Sequence, residues 1–385
     1  MAARLPLRFF YLLGAGVATL AASTLCRPVR ALAKAETLSP AAMRQDVRLL
    51  RRAYEALHLG MLRYNTPQQI AAGFERLEAD SATPQPLEAF YLRLSRFLAA
   101  LRCGHSYANF YNQSRAVQTR LFETPDRLPF QFLWLGDRMI VTADPTGTGI
   151  APGSEIVRLN GRPVGELLAV GEVLAGLMAV ARADGGNDGK RRQLMSVQGQ
   201  DGYESFDVFY PLMFGSRARH ALEVVGADGR TRRTEMEAIS LEARRAQRPP
   251  VIDAADDTPA WTMERRGPTA LLTMPGWGLY NSDWDWAGWL NNRMDALVSD
   301  GVQRLVIDIR ANEGGLDCGD VLAARLIDRP IVPDTARRLV RYRRILDDLR
   351  PALDTWDRSF DDWATMPSPM MIAFCPYPGA PTRAV

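Results

Sequence analysis

The chain has 385 residues, enough for two or three packed units, and its composition (47% apolar, 24% charged) excludes a disordered or fibrous protein. The formal net charge of +3 carries no basic cluster of the kind that marks a nucleic-acid binder. Three histidines and four widely spaced cysteines match neither a disulfide framework nor a zinc pattern, so no metal and no cofactor are expected.

Arg4 and Arg8 precede an apolar stretch from Phe9 to Cys26, and Ala31-Leu32-Ala33 supplies small residues for a cleavage site. This is the layout of a secretory signal peptide over residues 1–33, with an uncleaved anchor as the alternative. Leu25 is too large for a lipoprotein signal at Cys26, and Arg4 and Arg8 are not adjacent, so no twin-arginine signal is supported. Removing residues 1–33 takes away four arginines and no acidic residue, which moves the net charge from +3 to −1. A periplasmic or secreted protein is expected, touching a membrane only through this segment.

Residues 34–115 read as a helical domain. Ser39-Pro40, Thr66-Pro67 and Thr83-Pro84 open helices, and Leu87, Phe90, Leu94, Phe97, Leu98 and Leu101 keep a helical period. Residues 125–245 read as a β-rich module. Two strands flank Gly136-Asp137, a strand covers Glu155–Leu159, Asn160-Gly161 turns, a helix starts near Val164, and a hairpin turns at Ala227-Asp228-Gly229. "ADGGNDGKRR" reads as a polar loop and "RRAQRPPVIDAADDTP" as a linker. From 258 to 385 the order strand ("ALLTMPGW"), helix (ending at Gly301), strand ("RLVIDI"), helix (Asp317 to Ile327) argues for an α/β core on a parallel sheet.

In "LVIDIRANEGG" the apolar strand ends in Gly314-Gly315 just before a helix. Glycines there allow a sharp bend, and the amides near a helix N-terminus make a small anion receptor. A plain strand-to-helix turn is the alternative. The stretch resembles the motif of the S41 serine peptidases, the C-terminal processing peptidases and the tricorn-type core protease. The resemblance implies an oxyanion hole at Gly314 and Gly315, with Asp308, Arg310 and Asn312 as structural members. Glu313 stands where the family often has glycine.

"LRCGHSYANF" resembles the family's Gly-His-Thr/Ser segment, which implies His105 as the general base. A capping or core histidine is the alternative, and Gly104 stands where the tricorn core has a serine. "APGSEIVRLNGRPV" resembles the PDZ-type stretch that holds an extended peptide at a sheet edge, with an ordinary hairpin as the alternative. Lys34 and Lys190 are the only lysines, and neither is placed for a Ser–Lys dyad, so a histidine mechanism is expected.

The nucleophile is unknown. Beyond Asn312 the only serines are Ser359, with no strand before it, and Ser368, between Pro367 and Pro369; neither has the family's setting. "PMMIAFC" reads as the strand leading to a nucleophile, but "PYPGAPTRAV" follows. The expectation is therefore a truncated or frameshifted chain.

The fold class expected is α/β: an N-terminal helical segment, a PDZ-like β-rich module and an incomplete ClpP/crotonase-like α/β catalytic core. The function implied is an exported S41-type serine peptidase acting on peptides or proteins, impaired where the nucleophile is missing. A peptide-binding pseudoenzyme and a crotonase-superfamily acyl-CoA enzyme are the alternatives.

Overall fold

The computed structural model describes residues 37–168, 176–248, 261–280, 282–310, 312–328, 338–353, 361–362 and 372–374. The signal-peptide segment, residues 249–259 of the expected linker, Ser359 and Ser368 lie outside the described residues, and the first three linker residues, 244–246, are helical instead. The fold is mixed α/β and divides into two compact units. The first contains described residues 37–248 and those from 338 on; the second contains 261–328.

In the first unit, a two-residue strand β1 (Thr37–Leu38) leads into α1 (Pro40–Leu57). Ser39 Oγ accepts the Ala42 amide, and Pro40 starts the first turn, where a missing N–H costs nothing. Met43, Val47, Leu50, Tyr54 and Leu57 form its buried stripe. In α2 (Pro67–Asp80) Thr66 and Gln69 close a reciprocal capping box. A second two-residue strand, β2 (Gln85–Pro86), pairs with β1 and opens α3 (Leu87–Ala100); α4 (Arg115–Phe122) follows.

The chain then builds an antiparallel sheet from β3 (Gln131–Leu135), β4 (Arg138–Ala143), β5 (Glu155–Leu159), the short β6 (Arg162–Pro163), β7 (Arg219–Val225) and β8 (Thr231–Glu237). Its order is β3-β4-β5-β7-β8, with β6 beside β5. Gly136 turns the first hairpin at φ 65°, and Asn160 turns after β5 at φ 52°. Helices α5 (Val164–Leu168), α6 (Asp188–Leu194), α7 (Ser205–Phe214) and α8 (Leu241–Ala246) interleave with these strands. The loop expected around 183–192 is therefore partly helical: Asn187 caps α6 through the Lys190 amide.

One buried cluster runs from Met43 of α1 to Leu241 of α8, so the helical segment and the β-rich segment share a core. Inside it Asp207 and Arg244, each 1% exposed in the side chain, pair at 3.0 Å. Arg244 also donates to the carbonyls of Leu128 and Phe130, and Arg127 stands 3.8 Å from Asp207. The sequence boundaries ran the α/β core to residue 385. In the structure Ile345 and Leu349 instead pack on Ala53 and Leu57 of α1, and Arg52 pairs with Asp348 at 2.6 Å.

The second unit holds β9 (Thr262–Arg266), β10 (Thr269–Thr273), α9 (Trp286–Ser299), β11 (Arg304–Asp308) and α10 (Cys318–Leu326). Strand order is β11-β10-β9; β10 and β11 are parallel, with Ala270 opposite Leu305, and β9 is antiparallel to β10. A parallel pair needs a crossover, which α9 supplies. Trp261, Leu272, Met274, Leu290, Met294, Cys318 and Leu322 form the core. Val306 on β11 remains 51% exposed, less buried than its strand pattern suggests. Near the C-terminus β12 (Arg338–Val340) pairs in parallel with β13 (Ile372–Phe374), the strand expected in "PMMIAFC".

Candidate active site

The two sequence-derived site elements fall in different units: His105 in the first, the Gly314-Gly315 corner in the second.

The corner follows directly from its sequence. Asp308 ends β11 and its main chain extends the ladder, accepting the Met274 amide at 2.9 Å. Its carboxylate takes Arg310 in a fork, Nε to Oδ1 at 2.9 Å and Nη2 to Oδ2 at 2.6 Å. The hydrogen bonds from the Arg310 side chain and amide hold the Asp308 carboxyl down at about 2. Asn312 bridges the two strand ends. Its Nδ2 donates to the Met274 carbonyl at 3.1 Å, and its Oδ1 accepts the Gly314 amide at 2.7 Å. Gly314 and Gly315 have φ of 94° and 138°, values that L side chains rarely adopt. Gly315 bridges to Trp277: the Trp277 amide donates to the Gly314 carbonyl, and the Leu316 amide donates to the Trp277 carbonyl. Helix α10 starts three residues later.

The glycine pair thus forms a turn ahead of a helix, with Gly315 packed against the Trp277 backbone. Of its two amides, that of Gly314 is bound to Asn312 Oδ1. That of Gly315 has no acceptor among the described residues. An oxyanion would meet Gly315 first, and would have to displace Asn312 to reach Gly314.

The His105 site sits in the turn after α3. Leu101 is buried, Arg102 takes φ 58°, and Cys103-Gly104-His105-Ser106 follow. A distant loop clamps this turn. Asp184 Oδ1 accepts the Gly104 amide at 2.7 Å, Arg182 Nη1 donates to the Gly104 carbonyl at 2.5 Å, and the Gly185 amide donates to the Arg102 carbonyl at 2.9 Å. A Cβ at Gly104 would lie 2.9 Å from Asp184 Oδ2, so glycine is what lets the carboxylate lie against the turn.

His105 is exposed and hydrogen-bonds the half-buried Cys103 thiol. Burial pushes that thiol up, but the hydrogen bonds from His105, His58 and Ser106, with the His58 charge, bring it down to about 5. The bond to Cys103 raises His105. The hydrogen bond the two share thus favours the charged form of each group. His58 and Ser106 also meet, Nε2 to Oγ at 2.8 Å. Both are buried, His58 stacks on Tyr54, and a substrate has no access, so this Ser–His couple is a core contact.

From linear spacing no metal site is expected. The fold nevertheless brings Asp184 to the Cys103-x-His105 turn, and one ligand-type atom from each of the three lies within 4.8 Å of the others. Sequence reading missed Cys103 and Asp184; the Cys-x-His spacing was the one local signal.

Residues 268–358 match peptidase family S41. No curated protein matches the chain. Among solved structures, the chain is similar to one described as mature CPAF, at 14% identity and TM-score 0.40, covering 71% of this chain and 56% of that one. It is also similar to mature CPAF complexed with lactacystin, at 16% identity, TM-score 0.42 and the same coverages. At such scores the likeness carries neither fold nor function, and the chain spans little more than half the length of those proteins.

Proposed function

We propose that this chain, which carries an S41-family segment at residues 268–358, is an exported serine-type peptidase that cleaves peptide bonds by acyl transfer. The family match carries the reading, because it falls on the stretch that contains the Asp308–Gly315 corner. In this reading a serine attacks the scissile carbonyl, His105 takes its proton, and the Gly315 amide, joined by Gly314 once Asn312 yields, holds the oxyanion. Asp308, Arg310 and Asn312 keep the corner in shape. The nucleophile is unassigned, so activity of these 385 residues is expected to be weak. The N-terminal 33 residues would direct export to the periplasm or the medium.

The PDZ-like assignment belongs to the same proposal. Among the described residues β8 has a neighbour on one side only, and its outer edge offers backbone groups to an extended peptide.

Two observations favour a second reading, a peptide-binding pseudoenzyme. The Gly314 amide is occupied by Asn312, and His105 is engaged with Cys103. Incubating the purified chain with a pool of unstructured peptides separates the two. Slow cleavage lost in His105→Ala supports the peptidase; saturable binding with no cleavage over days supports the binder.

A further inference from the structure

The Cys103, His105 and Asp184 cluster is built from three chemically different donors on two segments about 80 residues apart. Asp184 holds the turn with Oδ1 alone, through the Gly104 amide, and the bare Gly104 Cα leaves room beside Oδ2. Cys103 is half-buried, whereas His105 and Asp184 are exposed, so the donors face accessible space.

We propose that these three side chains bind a thiophilic divalent cation of the zinc type. Around tetrahedral zinc, with bonds of about 2.0–2.3 Å, neighbouring donor atoms stand roughly 3.3–3.8 Å apart. The three donors here already lie within 4.8 Å of one another, so side-chain rotations of an ångström or so close the site. A thiolate selects zinc, cobalt or cadmium over magnesium and calcium, and three protein ligands leave a fourth position for water. Thiolate and carboxylate offset the cation charge. The Arg182 guanidinium donates to the Gly104 carbonyl and lies 4.0 Å from the Tyr107 ring centroid. On binding, the proton held between Cys103 and His105 leaves to solvent, and the metal takes the imidazole lone pair. The consequence for catalysis rests on the proposed role of His105: a metal-bound imidazole accepts no proton, so zinc would switch the peptidase off.

The full chain, stripped with a chelator and titrated with cobalt(II), tests the site. One cobalt per chain with a thiolate-to-metal charge-transfer band in the near ultraviolet is expected. Cys103→Ser removes the band, and His105→Ala and Asp184→Asn weaken binding by roughly tenfold or more. As a readout on the unmutated chain, saturating zinc slows iodoacetamide modification of Cys103, located by peptide mapping, by about tenfold or more. Absence of stoichiometric binding, a band that survives Cys103→Ser, or unchanged Cys103 alkylation would overturn the site. Zinc binding that protects Cys103 yet leaves catalysis untouched keeps the site and removes His105 from the base role.

Discussion

Gly315 is packed so closely on Trp277 that a Cβ at position 315 would lie 2.1 Å from the Trp277 carbonyl oxygen. Backbone cannot move aside as a side chain can. Gly314, by contrast, has open space around its missing Cβ, and only its φ of 94° demands glycine. The two glycines of one motif are therefore held by different constraints, contact at 315 and conformation at 314.

Gly315→Ala is expected to destabilise the second unit by about 3 kcal/mol, and Gly314→Ala by about 1 kcal/mol. Hydrogen exchange over residues 304–326 reads both, with the larger loss of protection at position 315. Equal effects at the two positions would contradict the constraint assigned to each.

The buried pair Asp207–Arg244 is the electrostatic centre of the first unit. Asp207→Asn leaves Arg244, and Arg127 3.8 Å away, without their anion in a dry core. A loss of about 3–5 kcal/mol in urea unfolding is expected, far more than for removal of the solvent-exposed Arg138, which pairs with Glu155 at the surface.

Glu204 sits beside this pair, and its Oε1 accepts the amides of Gln198 and Gln200. Burial, then the Asp207 charge, pushes its carboxyl up from 4.5 to about 7. The folded state therefore keeps a proton that the unfolded chain releases between those values. The Glu204 contribution to stability should fall as pH rises from about 4.5 to 7 and level off above. Glu204→Gln keeps the Oε1 acceptor and should flatten that slope and raise stability at pH 8, as read from unfolding free energies across the range.

The sequence showed those parts of the fold that are written locally. The hairpin around Gly136, strand Glu155–Leu159 and the helix ahead of Gly301 follow from turn residues and apolar period. The Asp308–Gly315 corner was legible for the same reason: its bonds join residues two apart, apart from those to Met274 and Trp277. Contacts between distant segments were not legible. Nothing near position 103 announces Asp184, nothing near 57 announces Ile345, and α7, apolar on most sides with Pro211 inside, has no single-faced period to read. His105 was found by its motif, but its engagement with Cys103 comes from the tightness of a turn that a distant loop clamps.

The central claim, a serine peptidase site that depends on His105, is tested most directly by fluorophosphonate labelling of the purified 385-residue chain beside its His105→Ala variant. The account predicts slow labelling of a single serine in the unaltered chain and none in the variant. Labelling unchanged in His105→Ala, or no labelling of a folded chain that still binds peptide, would contradict it.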